Sequence, residues 1–191
     1  MYDDEFELTF DLSDEDKASR APAPEQEPVQ EAAPEPAAET EPPVEAVPEP
    51  AVPAANGRCV LISGGDRGIG AAAARAFWQA GYRVAVLYHT HAEAAAALEK
   101  ALPGLLAVQC DVASRASCEV AFHTVEQAVG HVDVLVSNAG IAQQKLFTDI
   151  TPEEWQHMLD VNLSGAFHLC QLALPGMIRR KAGRILTVSS M

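Results

Sequence analysis

From Arg58 onward, short apolar runs alternate with longer stretches in which apolar and polar positions mix. CVLIS (Cys59–Ser63) is continuous in apolar character, too short for a helix, and suited to a parallel strand covered on both faces. RVAVLY (Arg83–Tyr88), LLAVQC (Leu105–Cys110), VDVLVS (Val132–Ser137) and Arg184–Val188 are runs of the same kind. Between them, residues 68–80 are Ala-rich and stop before Gly81, 91–101 mix Ala, Glu and Leu up to Pro103–Gly104, and 114–129 open on Ser114, an N-cap type, and close at Gly130. Thr151–Pro152–Glu153–Glu154 combines an N-cap, a first-turn proline and a Glu at the third helical position, which predicts a helix from there to about Lys181. Strands separated by helices require right-handed crossovers. The expected fold is α/β, a Rossmann-type doubly wound parallel sheet.

The first 55 residues follow no such pattern. They hold 16 of the 27 acidic residues against Lys17 and Arg20, and ten of the 13 prolines, whereas residues 56–191 carry equal numbers of each charge and all 12 glycines. This divides the chain into an acidic Pro/Glu/Ala-rich tail, 1–55, and a Rossmann domain, 56–191. The tail lacks the apolar surface to offset the entropy of ordering, so it is expected to be disordered and extended. Phe6, Leu8, Phe10 and Leu12 alternate with polar residues. That segment is either an inert solubilising end or an arm that docks on a protein partner by strand addition or in a basic groove. Neither part has the basic excess of a nucleic-acid binder.

Cys59, Cys110, Cys118 and Cys170 form no CxxC pair and read as reduced, buried thiols. No apolar run approaches membrane length, and the acidic start is unlike a targeting signal, so the expected location is cytoplasmic.

The chemistry gathers after the first strand. Ser63–Gly64–Gly65–Asp66–Arg67–Gly68–Ile69–Gly70 leads straight into a helix. Gly64 permits a tight turn, Gly68 lets backbone approach a pyrophosphate, and Gly70 lets the helix press on the sheet, with the helix N-terminus facing the phosphates. No GK[ST] follows, which excludes an ATP- or GTP-type loop.

On these residues the chain resembles the short-chain dehydrogenase/reductases over 57–191. The family's TGxxxGIG corresponds to Ser63 through Gly70. Its acidic residue at the adenine ring corresponds to Asp111, followed by Val112. Its NNAG corresponds to Ser137–Asn138–Ala139–Gly140, its active-site Asn to Asn162, and its catalytic Ser to Ser190. The resemblance is nearest to β-ketoacyl–acyl-carrier-protein reductases. Within these, the stretch from Ile141 to Ile185 is similar to a bacterial branch that reduces the 5-aminopentanone group on elongation factor P.

The resemblance implies hydride transfer between a nicotinamide and a carbonyl, with Ser190 polarising the substrate oxygen and Asn162 anchoring a water in the proton relay. It implies a carbonyl substrate borne on a carrier protein or on elongation factor P, and a homotetramer. NADP is expected over NAD. An NAD enzyme needs a carboxylate after its second strand, and here stand His89, Thr90 and His91, with Arg67 placed to meet a 2′-phosphate. His89 and His91, when protonated, would strengthen that binding at lower pH; two histidines without a third ligand do not hold zinc, and no metal is expected. Asp66 reads as a tolerated turn residue, Trp155 and Phe167 as packing residues, and Arg179–Arg180–Lys181 as partners of the helix dipole and solvent.

The family's Tyr-x-x-x-Lys lies beyond its serine, and this sequence continues only to Met191. The expectation is therefore an incomplete sheet, about five of the seven strands of this doubly wound type, with an exposed fifth strand. Such a fragment would bind NADP weakly and lack turnover. The competing reading is a non-catalytic nucleotide-binding or scaffold protein docking through its acidic tail.

Overall fold

The computed structural model describes residues 54–189. Expectations for the acidic segment ahead of Ala54, and for Ser190, lie outside the described residues.

Five strands, β1 (Cys59–Ser63), β2 (Arg83–Tyr88), β3 (Leu106–Gln109), β4 (Val134–Ser137) and β5 (Arg184–Thr187), form one sheet in the order β3-β2-β1-β4-β5. Every neighbouring pair is parallel, with Leu61 level with Ala85 on one side and Leu135 on the other. Five helices connect and cover them: α1 (Gly68–Gln79), α2 (Ala92–Ala101), α3 (Arg115–Val129), α4 (Pro152–Leu159) and α5 (Gly165–Arg180). The sheet is the doubly wound one that the apolar runs predict, with the last three strands trimmed at their ends.

Side chains alternate across the central strands. Leu61, Leu87 and Leu135 meet Phe122 and Val125 of α3 and Leu169 and Met177 of α5. Val60, Ile62, Val86 and Val136 meet Ala74 and Trp78 of α1 and Leu98 of α2. β1 is buried throughout, so its run is apolar at every position rather than at alternate ones. Each large side chain removed from water here contributes about 1.5–3 kcal/mol. The cysteines are free, three buried and Cys170 half-buried; burial pushes the Cys59 thiol up to about 11.

α4 opens on the capping box its sequence predicts. The Glu154 amide donates to Thr151 Oγ1 at 3.2 Å, and the Thr151 amide donates to Glu154 Oε2 at 3.0 Å. Lys145 hydrogen-bonds the same carboxylate, and with the Thr151 amide it holds Glu154 below the usual carboxylate range. The folded value is depressed, so this contribution is present above the unfolded carboxylate range and is lost as pH falls through the folded value. Thr151→Ala is expected to cost about 1 kcal/mol in urea denaturation at neutral pH.

The helix predicted from Thr151 to about Lys181 runs through to Arg180, with a π-helical turn at Asp160–Ser164 between α4 and α5 that shifts the register of the residues after it. Two expectations are corrected. Trp155 and Phe167, read as packing residues, are 53% and 59% exposed: α5 turns Leu169, Ala173 and Met177 to the sheet instead of Phe167, and Trp155 lies on α4, which has no buried residue. Arg180 does more than complement a dipole, since its Nη2 donates to the Val132 carbonyl at 2.8 Å and lies 3.8 Å from Asp133 Oδ1, tying the end of α5 to the entry of β4. No described helix is long and apolar enough to cross a membrane.

Candidate functional site

In a sheet ordered β3-β2-β1-β4-β5, the chain leaves β1 towards one side and β4 towards the other, which opens a crevice at their carboxyl ends. The residues lining that crevice are held by a hydrogen-bonded seam between two loops. Ser63, fully buried, accepts at its hydroxyl from the amides of Asn138 and Ala139, both at 3.0 Å. The Asn138 side chain returns two bonds, donating to the carbonyls of Ser63 at 3.1 Å and Gly64 at 2.9 Å. Asn138 thus positions the glycine loop, and Ser63 acts from beneath it rather than at its surface.

The glycines divide their work as their spacing predicts. Gly64 turns with φ +61°. Gly70 packs α1 so closely on the loop that a Cβ there would stand 2.1 Å from the Gly64 oxygen. Gly68, at φ +53°, borders a cavity of about 560 Å³, and a Cβ on it would meet no protein atom. The first amides of α1, which have no partner within the helix and no side-chain cap, stand beside this cavity. That arrangement fits a dinucleotide's diphosphate.

The cavity collects most of the residues singled out from sequence. Gly64, Arg67, Gly68 and Ile69 form one wall; Asn138, Ala139 and Gly140 form the floor; His89 lies at the edge after β2. Asp111 and Val112 close the far side. Asp111 Oδ1 accepts from the Ala113 amide at 3.0 Å and its own amide donates to Ser117 Oγ at 3.0 Å, so the turn sets the direction of the carboxylate. Val112 is buried, with its carbonyl 3.1 Å from His168 Nδ1 on α5.

Asn162 lies in the π-helical turn. Its Oδ1 accepts from the Ile141 amide at 2.8 Å and its Nδ2 donates to the Ile141 carbonyl at 3.0 Å. It pins the loop leaving Gly140. One amide hydrogen and one lone pair of the side chain remain for a further partner. The cavity also includes Asp66, His91, Ile141, His157 and Val161. Of these the sequence marked only Asp66 and His91, and neither as a firm site residue. Ile141 stands next to a recognised motif, which is a signal of sorts. His157 and Val161 depend on how α4 and the π-helical turn cross the crevice, which no local pattern records.

The described geometry is matched by known proteins. Residues 58–191 match the family model described as short chain dehydrogenase. An acetoacetyl-CoA reductase of Paracoccus denitrificans is 38% identical over 134 residues, covering 70% of this chain and 55% of the relative. The 3-oxoacyl-[acyl-carrier-protein] reductase MabA of Mycobacterium tuberculosis is 39% identical, covering 70% of this chain and 51% of its own length. A solved structure described as a short-chain dehydrogenase from Novosphingobium aromaticivorans superimposes with a TM-score of 0.66 at 31% identity, over 71% of this chain and 53% of that one. The chain spans about half the length of the curated relatives it matches. With the family model covering the whole of the described sheet and the glycine loop lying where a dinucleotide fold requires it, the chain belongs to the short-chain dehydrogenase family.

Proposed function

We propose that this chain supplies the dinucleotide-binding part of an NADP-dependent oxidoreductase that reduces a 3-oxoacyl thioester or a related ketone. The observation that carries the reading is the ledge of bare amides at Gly68, opening into the cavity at the strand reversal. The names of the acetoacetyl-CoA and 3-oxoacyl reductases support the substrate class. When bound, the nicotinamide exchanges the hydride.

The chain's own groups do the rest. The first amides of α1 hold the diphosphate charge. Asp111 and Val112 take the adenine, and Asn138, Ala139 and Gly140 support the middle of the dinucleotide. Arg67 and His89 border the end that would hold a 2′-phosphate. In the whole enzyme Ser190 polarises the substrate oxygen and Asn162 holds a water for the proton relay, while a Tyr-x-x-x-Lys supplies the proton. The ketone is borne on a carrier protein or on elongation factor P. Leu163, Phe167, Leu174 and Ile178, all exposed along one stripe, support assembly into the family's homotetramer.

Dinucleotide binding is the readout that tests this reading. Calorimetric titration is expected to give tighter binding of NADP than of NAD. Arg67→Gln removes charge-assisted bonds of about 1.5–3 kcal/mol, so NADP affinity is expected to fall about 10- to 100-fold with NAD affinity unchanged. Failure to bind either dinucleotide would overturn the proposal.

A further inference from the structure

Asp66 is an unexpected residue for a loop that faces phosphates. A carboxylate beside a helix N-terminus that holds an anion opposes that anion, and Asp66 is also buried, its side chain only 6% exposed. The structure corrects its reading as a tolerated turn residue. Asp66 Oδ2 stands 3.5 Å from Nδ1 of His91, which is 47% exposed and sits at the N-cap position of α2. The other ring nitrogen, Nε2, stands 3.4 Å from Arg67 Nη1. One imidazole therefore bridges two consecutive residues of the glycine loop, and all three line the cavity. The two histidines of the sequence part company here. The main-chain carbonyl of His89 accepts from Gln109 Nε2 at 3.0 Å, and no side-chain bridge of the kind made by His91 involves His89 among the described residues.

The bridge gives the two ring nitrogens different roles. A guanidinium can only donate, so the contact with Arg67 assigns Nε2 the acceptor's role and leaves Nδ1 to face Asp66. Groups of both signs stand around it, and His157 of α4 lines the same cavity. From the loop after β1, Asp66 favours an imidazolium and Arg67 opposes it. On its own element stand Thr90, with Oγ1 3.3 Å from Nδ1, His89, and Glu93 in the first turn of α2, whose N-terminus opposes a cation. Asp111 lines the same cavity from the loop after β3. A dianionic 2′-phosphate at Arg67 tips the balance between them. It engages the guanidinium, frees Nε2 from a facing donor, and favours a proton there.

Resting on the dinucleotide reading above, we propose that Asp66 is a positioning residue that holds His91 beside Arg67 so that NADP, and not NAD, binds with uptake of a proton from solvent at His91 Nε2. Discrimination between the two dinucleotides then grows as pH falls.

The test is calorimetric titration of the 191-residue chain with NADP and with NAD at pH 6.5 and 8, each in two buffers of different ionisation enthalpy. NADP is expected to bind about 5-fold more tightly at the lower pH with net proton uptake, by linkage, and NAD equally at both. A clamp made by Arg67 alone predicts the opposite trend, because a phosphate monoester takes up its own proton near pH ~6 and binds less well below it. His91→Asn and Asp66→Asn are each expected to remove the proton uptake and the tighter NADP binding at the lower pH, leaving the opposite trend of a clamp made by Arg67 alone, while NAD binding continues. Should Asp66→Asn fail to fold, the proton count of the unaltered chain and the exposed His91→Asn variant decide the matter. NADP binding without proton uptake, or uptake that survives in His91→Asn, overturns this proposal and leaves the dinucleotide reading standing. Binding of neither dinucleotide overturns both.

Discussion

Gly70→Ala is expected to cost the domain about 3 kcal/mol or more in urea denaturation, or to prevent folding outright. Two effects compete at this position. Alanine inside a helix is favoured over glycine by up to about 1 kcal/mol. Against it, the added carbon would stand 2.1 Å from the Gly64 oxygen, 2.7 Å from Asn138 Nδ2 and 2.9 Å from the Gly64 carbonyl carbon. Two of these are backbone atoms in a loop fixed by the Asn138 bonds, so they cannot swing aside as a flexible side-chain end would. Relief requires α1 to slide off β1, which uncovers Ala74 and Trp78, so the steric cost wins. Gly68→Ala is the informative contrast. Its Cβ meets no protein atom, and the positive φ costs about 1–2 kcal/mol. That variant is expected to stay folded and to lose dinucleotide affinity in a calorimetric titration, because its methyl group stands where bare amides must be approached. A folded Gly70→Ala with unchanged stability would show that the helix seats less tightly than described.

Asn138→Ala is expected to have the second largest effect, about 2–4 kcal/mol in urea denaturation together with a 10-fold or greater loss of dinucleotide affinity. The side chain donates to two carbonyls at the end of β1 in half-buried bonds, and each left unpaired costs about 1–3 kcal/mol. The two bonds from main-chain amides to Ser63 Oγ survive the change, so the strand ends stay together while the loop above them loosens. Asn138→Asp separates the lost hydrogen bonds from the lost volume. It nearly preserves size but turns an acceptor with negative charge onto two carbonyl oxygens, and it is expected to be worse than alanine. If aspartate were tolerated better than alanine, space filling and not donation would be the function of this side chain.

The sheet was legible because its central strands are buried on both faces. β1 is a run of five buried residues, and no helix with one wet side has such a run. The helix starts were legible where the capping chemistry is local, at Ser114 and at Thr151 with Glu154. The π-helical turn around Asn162 was not, because Leu163 and Phe167 are apolar yet exposed, so the shift of register it introduces leaves no clean break in the apolar pattern. Phe167 and Trp155 read as packing residues because aromatic type alone does not say which side of a helix the sheet covers. The glycine loop could be read residue by residue, since each glycine answers to a constraint within the loop. Asp66 could not, because its partner lies on the next crossover and only the folded chain brings His91 to it. Ser63 fell between the two: its place in the motif was visible, but its hydroxyl serves the neighbouring loop from below.

All five strands run the same way, so the turns that feed them, at Gly81, Gly104 and Gly130, gather on the rim away from the cavity. Extra sequence grafted there leaves the ledge of amides untouched. Gly104 is the most open of the three, since a Cβ on it meets nothing within 4 Å. A fluorescent reporter spliced at that turn and a second label at the opposite rim would let unfolding and occupancy be followed as separate signals in one molecule.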